Sequence, residues 1–383
     1  MKTMKKISDT LLSVFVLVVF MTATSCDTDE LSCETSIWYQ DADEDGLGNA
    51  NNTLEACEMP TGYVANSSDT DDSGSTSGGE TVDGYTGTGS VSQGLGTAIA
   101  ENIFPQGGRV SPTGTITSMD DLTWTVPADV NFEDDAFAFA PDLNNAYGQT
   151  YSTFSEAFDE YSSIDIVEVD ADGALVTVAI FADNYFEMYV NGTFIGKDAV
   201  PFTQFNSHLV KIRVNKPFTV AMLLVDWEEN LGLGSEDNQG ATYHPGDGGM
   251  VAVFMDTENE IIAVTDNSWK AQTYYTAPIK DLTCLSEDGT TRLSSSCDDD
   301  GTNDGTSFYG IHWARPDNWT SADFDDSAWP DATTYTNDAI GVDNKSSYTN
   351  YTDVFDNSAN DAVFIWSTNV VLDNEVLVRK TID

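Results

Sequence analysis

Residues 176–196, VTVAIFADNYFEMYVNGTFIG, constrain the fold of this chain more than any other stretch. Val176, Val178 and Ile180 alternate with Thr177, Ala179 and Phe181, and a period of two rich in β-branched residues specifies a strand. Asp183-Asn184 supplies a turn, because both side chains hydrogen-bond nearby backbone and tolerate left-handed geometry. The alternation resumes from Tyr185 to Val190. Asn191-Gly192 is then the strongest two-residue hairpin signal, since a type I′ turn needs positive φ at both central positions. Residues 193–196 begin the return strand.

The rest of the chain repeats this β character. From residue 99 onward, short apolar runs such as 122–126, 136–140 and 164–169 alternate with Gly, Asp, Asn and Pro, as in a sandwich or jelly roll. One short helix is expected at 155–162, where Phe154, Phe158 and Tyr161 share a face. Residues 218–227, FTVAMLLVDW, are apolar on both faces and specify a central strand, followed by a long Gly-rich loop and another strand at 250–255.

The chain has 383 residues and 11% aromatics, enough for one large core or two smaller ones. Its net charge of −49 argues against nucleic acid and against attraction to anionic lipid head groups. So many carboxylates serve solubility, or supply oxygen ligands to hard divalent cations such as Ca2+.

Lys2, Lys5 and Lys6 precede an apolar run at 11–21, which is short for a membrane span and fits a secretory signal. The following Ala23-Thr24-Ser25-Cys26 resembles a lipobox, with Ala23 where the usual Leu stands. That resemblance implies signal removal after residue 25 and lipidation of Cys26; plain cleavage is the alternative. Asp27-Thr28-Asp29-Glu30 resembles the acidic export tag of surface lipoproteins in the Bacteroidota. An exported, lipid-anchored, outer-membrane protein exposed at the cell surface is the expectation, with lipid as its membrane attachment. Setting Cys26 aside leaves Cys33, Cys57, Cys284 and Cys297, which suggests two disulfides; sequence neighbours are the simplest pairing, although four cysteines allow three connectivities.

Asp41, Asp43 and Asp45, followed by Gly46, have the alternate spacing of a calcium loop, in which the glycine permits the bend that converges the side chains. Residues 37–72 resemble thrombospondin type 3-like metal-binding repeats of bacterial surface proteins. Loop position 12 is Asn52 where an EF-hand has Glu, which implies weak affinity. Thr70 stands where the repeats often carry cysteine, so the resemblance implies a Cys33–Cys57 pair, and Asp69, Asp71 and Asp72 as further ligands. A solvated acidic turn is the plainer alternative. Residues 66–94 are almost entirely small and polar, which cannot offset the entropy of ordering. The expected organisation is a signal at 1–25, a metal-binding repeat at 26–72, a flexible linker at 73–94, and a β-sandwich jelly-roll region at 95–383, as one elaborated or two fused modules.

Three patterns carry a further resemblance. Ala182-Asp183-Asn184 with Tyr189-Val190-Asn191-Gly192, the Trp313…Asp323-Phe324-Asp325-Asp326-Ser327…Trp329 run, and the closing strands at 362–367, 370–372 and 376–381 resemble galactose-binding-like jelly-roll modules of carbohydrate-active and cell-surface proteins. The resemblance implies a mainly β jelly roll and a glycan or cell-surface partner. Sugar rings stack on aromatics, and Tyr185, Trp227, Tyr243, Trp313 and Trp319 are the candidate platforms, each with the core as its alternative place. Ligands favour loops on rigid scaffolds, so the loop after residue 227 is the leading site, with Asp226, His244 and Asp247 as ligand-binding candidates. Two carboxylates in a cleft can also serve glycoside cleavage, and Asp226, Glu228 and Glu229 with His244 are the catalytic alternative; a calcium- or water-solvated rim is the plainer one. A purely structural adhesin is the third reading.

Overall fold

A computed structural model describes residues 35–41, 48–57, 59–65, 67, 84–107, 109–145, 147–148, 150–202, 206–236, 244–299, 307–358 and 362–383. Strand accounts for 42% and helix for 8%, so the architecture is mainly β, with several antiparallel sheets consistent with a β-sandwich. Among the described residues, no helix is long and apolar enough to cross a membrane. The chain divides into two compact units, Met1–Gly74 and Ser75–Asp383.

The first unit holds a three-stranded antiparallel sheet of β1 (Ser36–Gln40), β2 (Asn49–Ala56) and β3 (Tyr63–Val64), with β1 in the middle. The Trp38 indole donates to the Ala56 carbonyl at 3.1 Å, pinning β1 to the end of β2. Cys57, just beyond that end, is disulfide-bonded.

In the second unit the chain runs through β4 (Ser90–Gln93), β5 (Thr97–Ala100), β6 (Thr113–Thr117), β7 (Thr123–Val126), β8 (Asp142–Asn144) and α1 (Phe154–Glu160). It continues through β9 (Ile166–Glu168), β10 (Ala174–Asp183), β11 (Tyr185–Val190), β12 (Thr193–Lys197), β13 (Asn206–Val214) and β14 (Phe218–Val225). Then follow β15 (Gly249–Met255), β16 (Ile261–Val264), β17 (Lys270–Ile279), β18 (Ser286–Asp288), β19 (Thr291–Leu293), β20 (Tyr309–His312), β21 (Thr333–Tyr335), three one-turn helices between 337 and 355, β22 (Phe364–Trp366) and β23 (Asp373–Ile382).

Two large sheets form the body. One is ordered β21-β22-β15-β10-β13-β8, with β16 beside β15 and β9 beside β13; the other is ordered β12-β11-β14-β23-β17-β20-β4. Alternating residues of both meet in one cluster: Val176, Val178 and Ile180 of β10 with Met188 of β11 and Val220, Met222 and Leu224 of β14. The opposite face of the second sheet carries its own cluster, where Leu223 and Val225 pack with Trp227, Trp313, Trp319 and Trp329. Every residue of β14 is therefore buried, which is what a strand apolar on both faces requires. Each such side chain contributes roughly 1.5–3 kcal/mol, so truncation along this strand is costly.

The hairpin forms as its turn chemistry dictates: Asn191 and Gly192 have φ of 49° and 81° and join β11 to β12. The helix is also where its apolar spacing put it, and Thr153 caps it by accepting from Glu156 N at 3.1 Å. Asp183-Asn184 differs from expectation. It is a change of sheet, since β10 ends in the first sheet and β11 begins in the second. Both strands are largely buried on both faces; β10 lies between β13 and β15, β11 between β12 and β14. The run 136–140 forms only a single bridge, Phe139 to Lys197, with Phe139 exposed. Residues 90–93, expected as linker, form β4 at the edge of the second sheet, because Val91 enters the second cluster.

Candidate functional site

On the outer face of the second sheet, the alternation of β11 turns Tyr185, Glu187 and Tyr189 away from the inter-sheet core. Glu187 is 1% exposed. Its two oxygens accept from the Asn131 amide at 2.5 Å, the Asn131 side chain at 2.8 Å, the Tyr185 hydroxyl at 3.0 Å and the Tyr189 hydroxyl at 2.9 Å. Lys197, opposite Glu187 across the hairpin, donates to the carbonyls of Asn131, Phe132 and Asp134 at 2.6, 2.8 and 2.9 Å. Burial and then the adjacent Glu187 hold the Tyr189 phenol above its usual range, so it stays a neutral donor.

This network floors an open cleft of about 370 Å³, walled by Asp129, Arg315, Asp317 and Trp319. Arg315 reaches Glu375 Oε1 at 3.1 Å and donates to the Asp129 carbonyl at 2.8 Å. Trp319 stands edge-on to Tyr189, with centroids 5.3 Å apart. The buried Arg379 fixes the loop that carries Trp319: it donates to the carbonyls of Trp319 and, at 3.0 Å, Ser321, and its Nε lies 2.8 Å from Asp326 Oδ2. Phe324 and Trp329 anchor the same loop edge-to-face at 5.2 Å around a turn at Asp325 to Ser327. A cleft with aromatic edges, a guanidinium, an amide and carboxylates suits a neutral ligand rich in hydroxyls.

A second constellation gathers at the end of β14. Tyr185 pairs with Val225, so Asn184 and Asp183 fall opposite Asp226 and Trp227. Asn184 accepts from Trp227 N at 2.6 Å and donates to the Val225 carbonyl at 3.2 Å. Asp183 pairs with Gly249 across β10 and β15, which brings Asp247 to the same corner. Glu236 joins through its backbone bridge with His244. Burial pushes the Asp226 carboxyl well above its usual range, and Glu236, Asp183, Asp247 and Glu228 push it further. Burial also raises Asp183, with Asp247 and Glu236 adding to it, and lifts Asp247 to about 6 against the opposing Lys345.

A third buried group ties β8 to β13. His208 Nε2 lies 3.0 Å from Asp142 Oδ1 and 3.4 Å from Asp198 Oδ1. Burial opposes its protonation, but Asp198 and Asp142 outweigh that and raise its pKa. Asp198 is pushed up to about 7 by burial, against the neighbouring imidazole.

The candidates read from sequence are distributed unevenly over these places. Tyr185, Trp227, Trp313 and Trp319 are 0%, 1%, 7% and 8% exposed, so none is an open platform; Trp227 gives its indole N–H to the Pro112 carbonyl at 3.0 Å. The cause is that both faces of the second sheet are covered, so strand-end aromatics become core. Trp319 alone among them walls the cleft. Asp226 is 3% exposed and lies in the interior, where a cleft position was expected. Glu228 accepts from Gly232 N at 2.6 Å, Gly234 N and the Tyr275 hydroxyl at 3.1 Å, and thereby clips its own loop; burial still lifts it to about 8. Glu229 meets Arg109 Nε at 3.1 Å, and the same guanidinium meets Glu236 at 2.6 Å. His244 Nε2 lies 3.7 Å from Glu236 Oε2.

Cys284 and Cys297 form a disulfide with Cα atoms 4.9 Å apart. Cys26, Cys33, Asp43, Asp45, Asp69, Asp71, Asp72 and Tyr243 lie outside the described residues. Asp41 is described, and follows β1 with its amide donating to Gly62 O at 3.0 Å. Among the described residues no group of three or more His, Cys, Asp and Glu side chains forms a metal-holding set. Sequence reasoning missed Glu187, Tyr189, Asn131 and Arg315. The signal was present for Glu187: a carboxylate between two tyrosines at period two, in a strand otherwise apolar, must find buried donors. No family model matches the chain, and no curated protein or solved structure matches it.

Proposed function

We propose that this chain is an exported surface lipoprotein, acylated at Cys26, whose second unit is a galactose-binding-like jelly roll that binds a neutral glycan. The observation that carries this reading is the cleft of about 370 Å³ on the outer face of the second sheet, with Trp319 and Tyr189 beside Arg315 and Asn131. Asp129, Glu187 and Asp317 also line it, and a net charge of −49 surrounds it, so polyanionic glycans are disfavoured. Calcium held by Asp41, Asp43 and Asp45, with Asp69, Asp71 and Asp72, stabilises the N-terminal motif in this reading, with Cys33 bonded to Cys57.

Binding is favoured over glycoside hydrolysis because both oxygens of Glu228 are occupied by its own loop. The test is retention of the full chain on a panel of neutral and anionic glycans. Retention on neutral glycans that is lost in Trp319→Ala and Arg315→Ala, and kept in His244→Ala, supports the cleft. Retention that survives both cleft substitutions moves the ligand elsewhere, and absence of retention on every glycan returns the protein to the adhesin reading.

A further inference from the structure

We propose that the end of β14 is a divalent-cation site in which Asp226, Asp183, Asp247 and Glu236 supply carboxylate oxygens to a calcium-class ion. The proposal stands on an imbalance between burial and partners. Asp226 is 3% exposed, and its Oδ1 has no hydrogen-bond partner. The groups that act on it are carboxylates brought in by four different segments: Asp183 from the end of β10, Asp247 from the approach to β15, Glu236 from the bridge to His244, and Glu228 from its own loop.

The cations nearby do not balance this. Arg109 serves Glu229 and Oε2 of Glu236, and Lys345 acts on Asp183 and Asp247. A buried carboxylate without donors is either protonated or matched by a cation. Gly246 keeps the space between two of these groups clear: a Cβ there would stand 3.2 Å from Asp226 Oδ1 and 3.2 Å from Glu236 Oε1. The donors are all hard oxygens, which selects calcium over the softer metals that prefer sulfur and imidazole. As the side chains stand, they do not yet form a metal-holding set. Binding therefore requires these side chains to close around the ion.

The experiment is thermal melting and calcium titration of the full chain, in chelator, in millimolar calcium and in millimolar magnesium. Calcium is expected to raise Tm by roughly 5 °C, and magnesium by less. Because the N-terminal motif also has candidate ligands, the comparison is made in an Asp41→Asn background. There, Asp226→Asn and Asp247→Asn should each remove the remaining rise and lower the calcium stoichiometry by one, while exposed Asp353→Asn leaves both unchanged. Should Asp226→Asn fail to melt cooperatively, Asp247→Asn decides, since its side chain is only partly buried. The proposal is overturned by an Asp41→Asn chain without a calcium response, or by the full response of that chain persisting when Asp247→Asn is added.

Discussion

Glu187 and Asp226 are both buried, one on β11 and the other just past the neighbouring β14, yet the protein treats them in opposite ways. Glu187, on β11, receives four hydrogen bonds and faces Lys197 across the hairpin. Asp226, just past β14, has an oxygen without a partner and other carboxylates as its neighbours. Burial alone therefore says little about a carboxylate's role. A saturated one is part of the scaffold and shapes what lies above it; an unsaturated one calls for a proton or a cation from outside.

The largest expected effect breaks the saturated side of this comparison. Glu187→Ala strands the Asn131 amide and two tyrosine hydroxyls without their acceptor, and should cost about 3 kcal/mol in denaturant unfolding. A loss below about 1 kcal/mol would mean that water replaces the carboxylate readily, and that Glu187 does not organise the cleft.

Buried carboxyls with raised pKa set the response to pH, Glu228 among them despite its three donors. Glu228, Asp198 and Asp247 are raised to about 8, 7 and 6, so between pH 4 and 8 the folded chain holds protons that the unfolded chain releases. Stability contributed by such protons is lost as pH rises. The raised His208 acts in the same direction, since its contribution is present at low pH and fades above its folded pKa. In chelator, stability should fall by more than about 2 kcal/mol from pH 5 to pH 8, the reverse of a protein held by salt-bridged carboxylates. Unfolding midpoints across that range decide it, and a rise with pH would contradict the arrangement of these groups.

How much of this was legible beforehand follows from the same contrast. The type I′ turn at Asn191-Gly192 and the two-faced burial of β14 are local properties, set by φ and by side-chain period, and both were readable. The anchoring of Trp329 by Phe324 was readable for the same reason. The change of sheet at Asn184 was not, because alternation specifies a strand without specifying its partner. The cleft and the β14 corner were only half visible. Asp226 and Asp247 stood out as acidic loop residues, but Asp183 looked like a turn former until the pairings of Tyr185 with Val225 and Asp183 with Gly249 placed it beside them. Asn131 and Arg315 lie far from β11 in sequence, and no spacing rule connects them to it.

A smaller effect sharpens the comparison at Asp226 itself. With calcium chelated at pH 8, Asp226→Asn removes a buried carboxylate crowded by four others, and it should raise stability by about 1 kcal/mol, opposite in sign to Glu187→Ala. The gain should shrink at pH 5, because burial and the neighbouring carboxylates favour the neutral form of Asp226 as pH falls. Equal destabilisation at both pH values would show that Asp226 is a satisfied hydrogen-bonding group after all.

The smallest effect is at Gly246. Its backbone lies outside the left-handed region, so alanine carries no strain there and on its own would stabilise by about 0.4–1 kcal/mol through the unfolded state. Its Cβ, however, meets Asp226 Oδ1 and Glu236 Oε1 at a distance tighter than most Cβ contacts, so both carboxylates must shift by a few tenths of an ångström. These terms oppose each other, and in chelator Gly246→Ala should unfold within about 0.5 kcal/mol of the wild type. In calcium they no longer cancel, because the methyl occupies the gap across which the two carboxylates would share an ion. A variant that matches the wild type in chelator and falls below it in calcium would separate the cation site from ordinary packing; a variant that follows the wild type in both would place the ion, if one binds, away from Gly246.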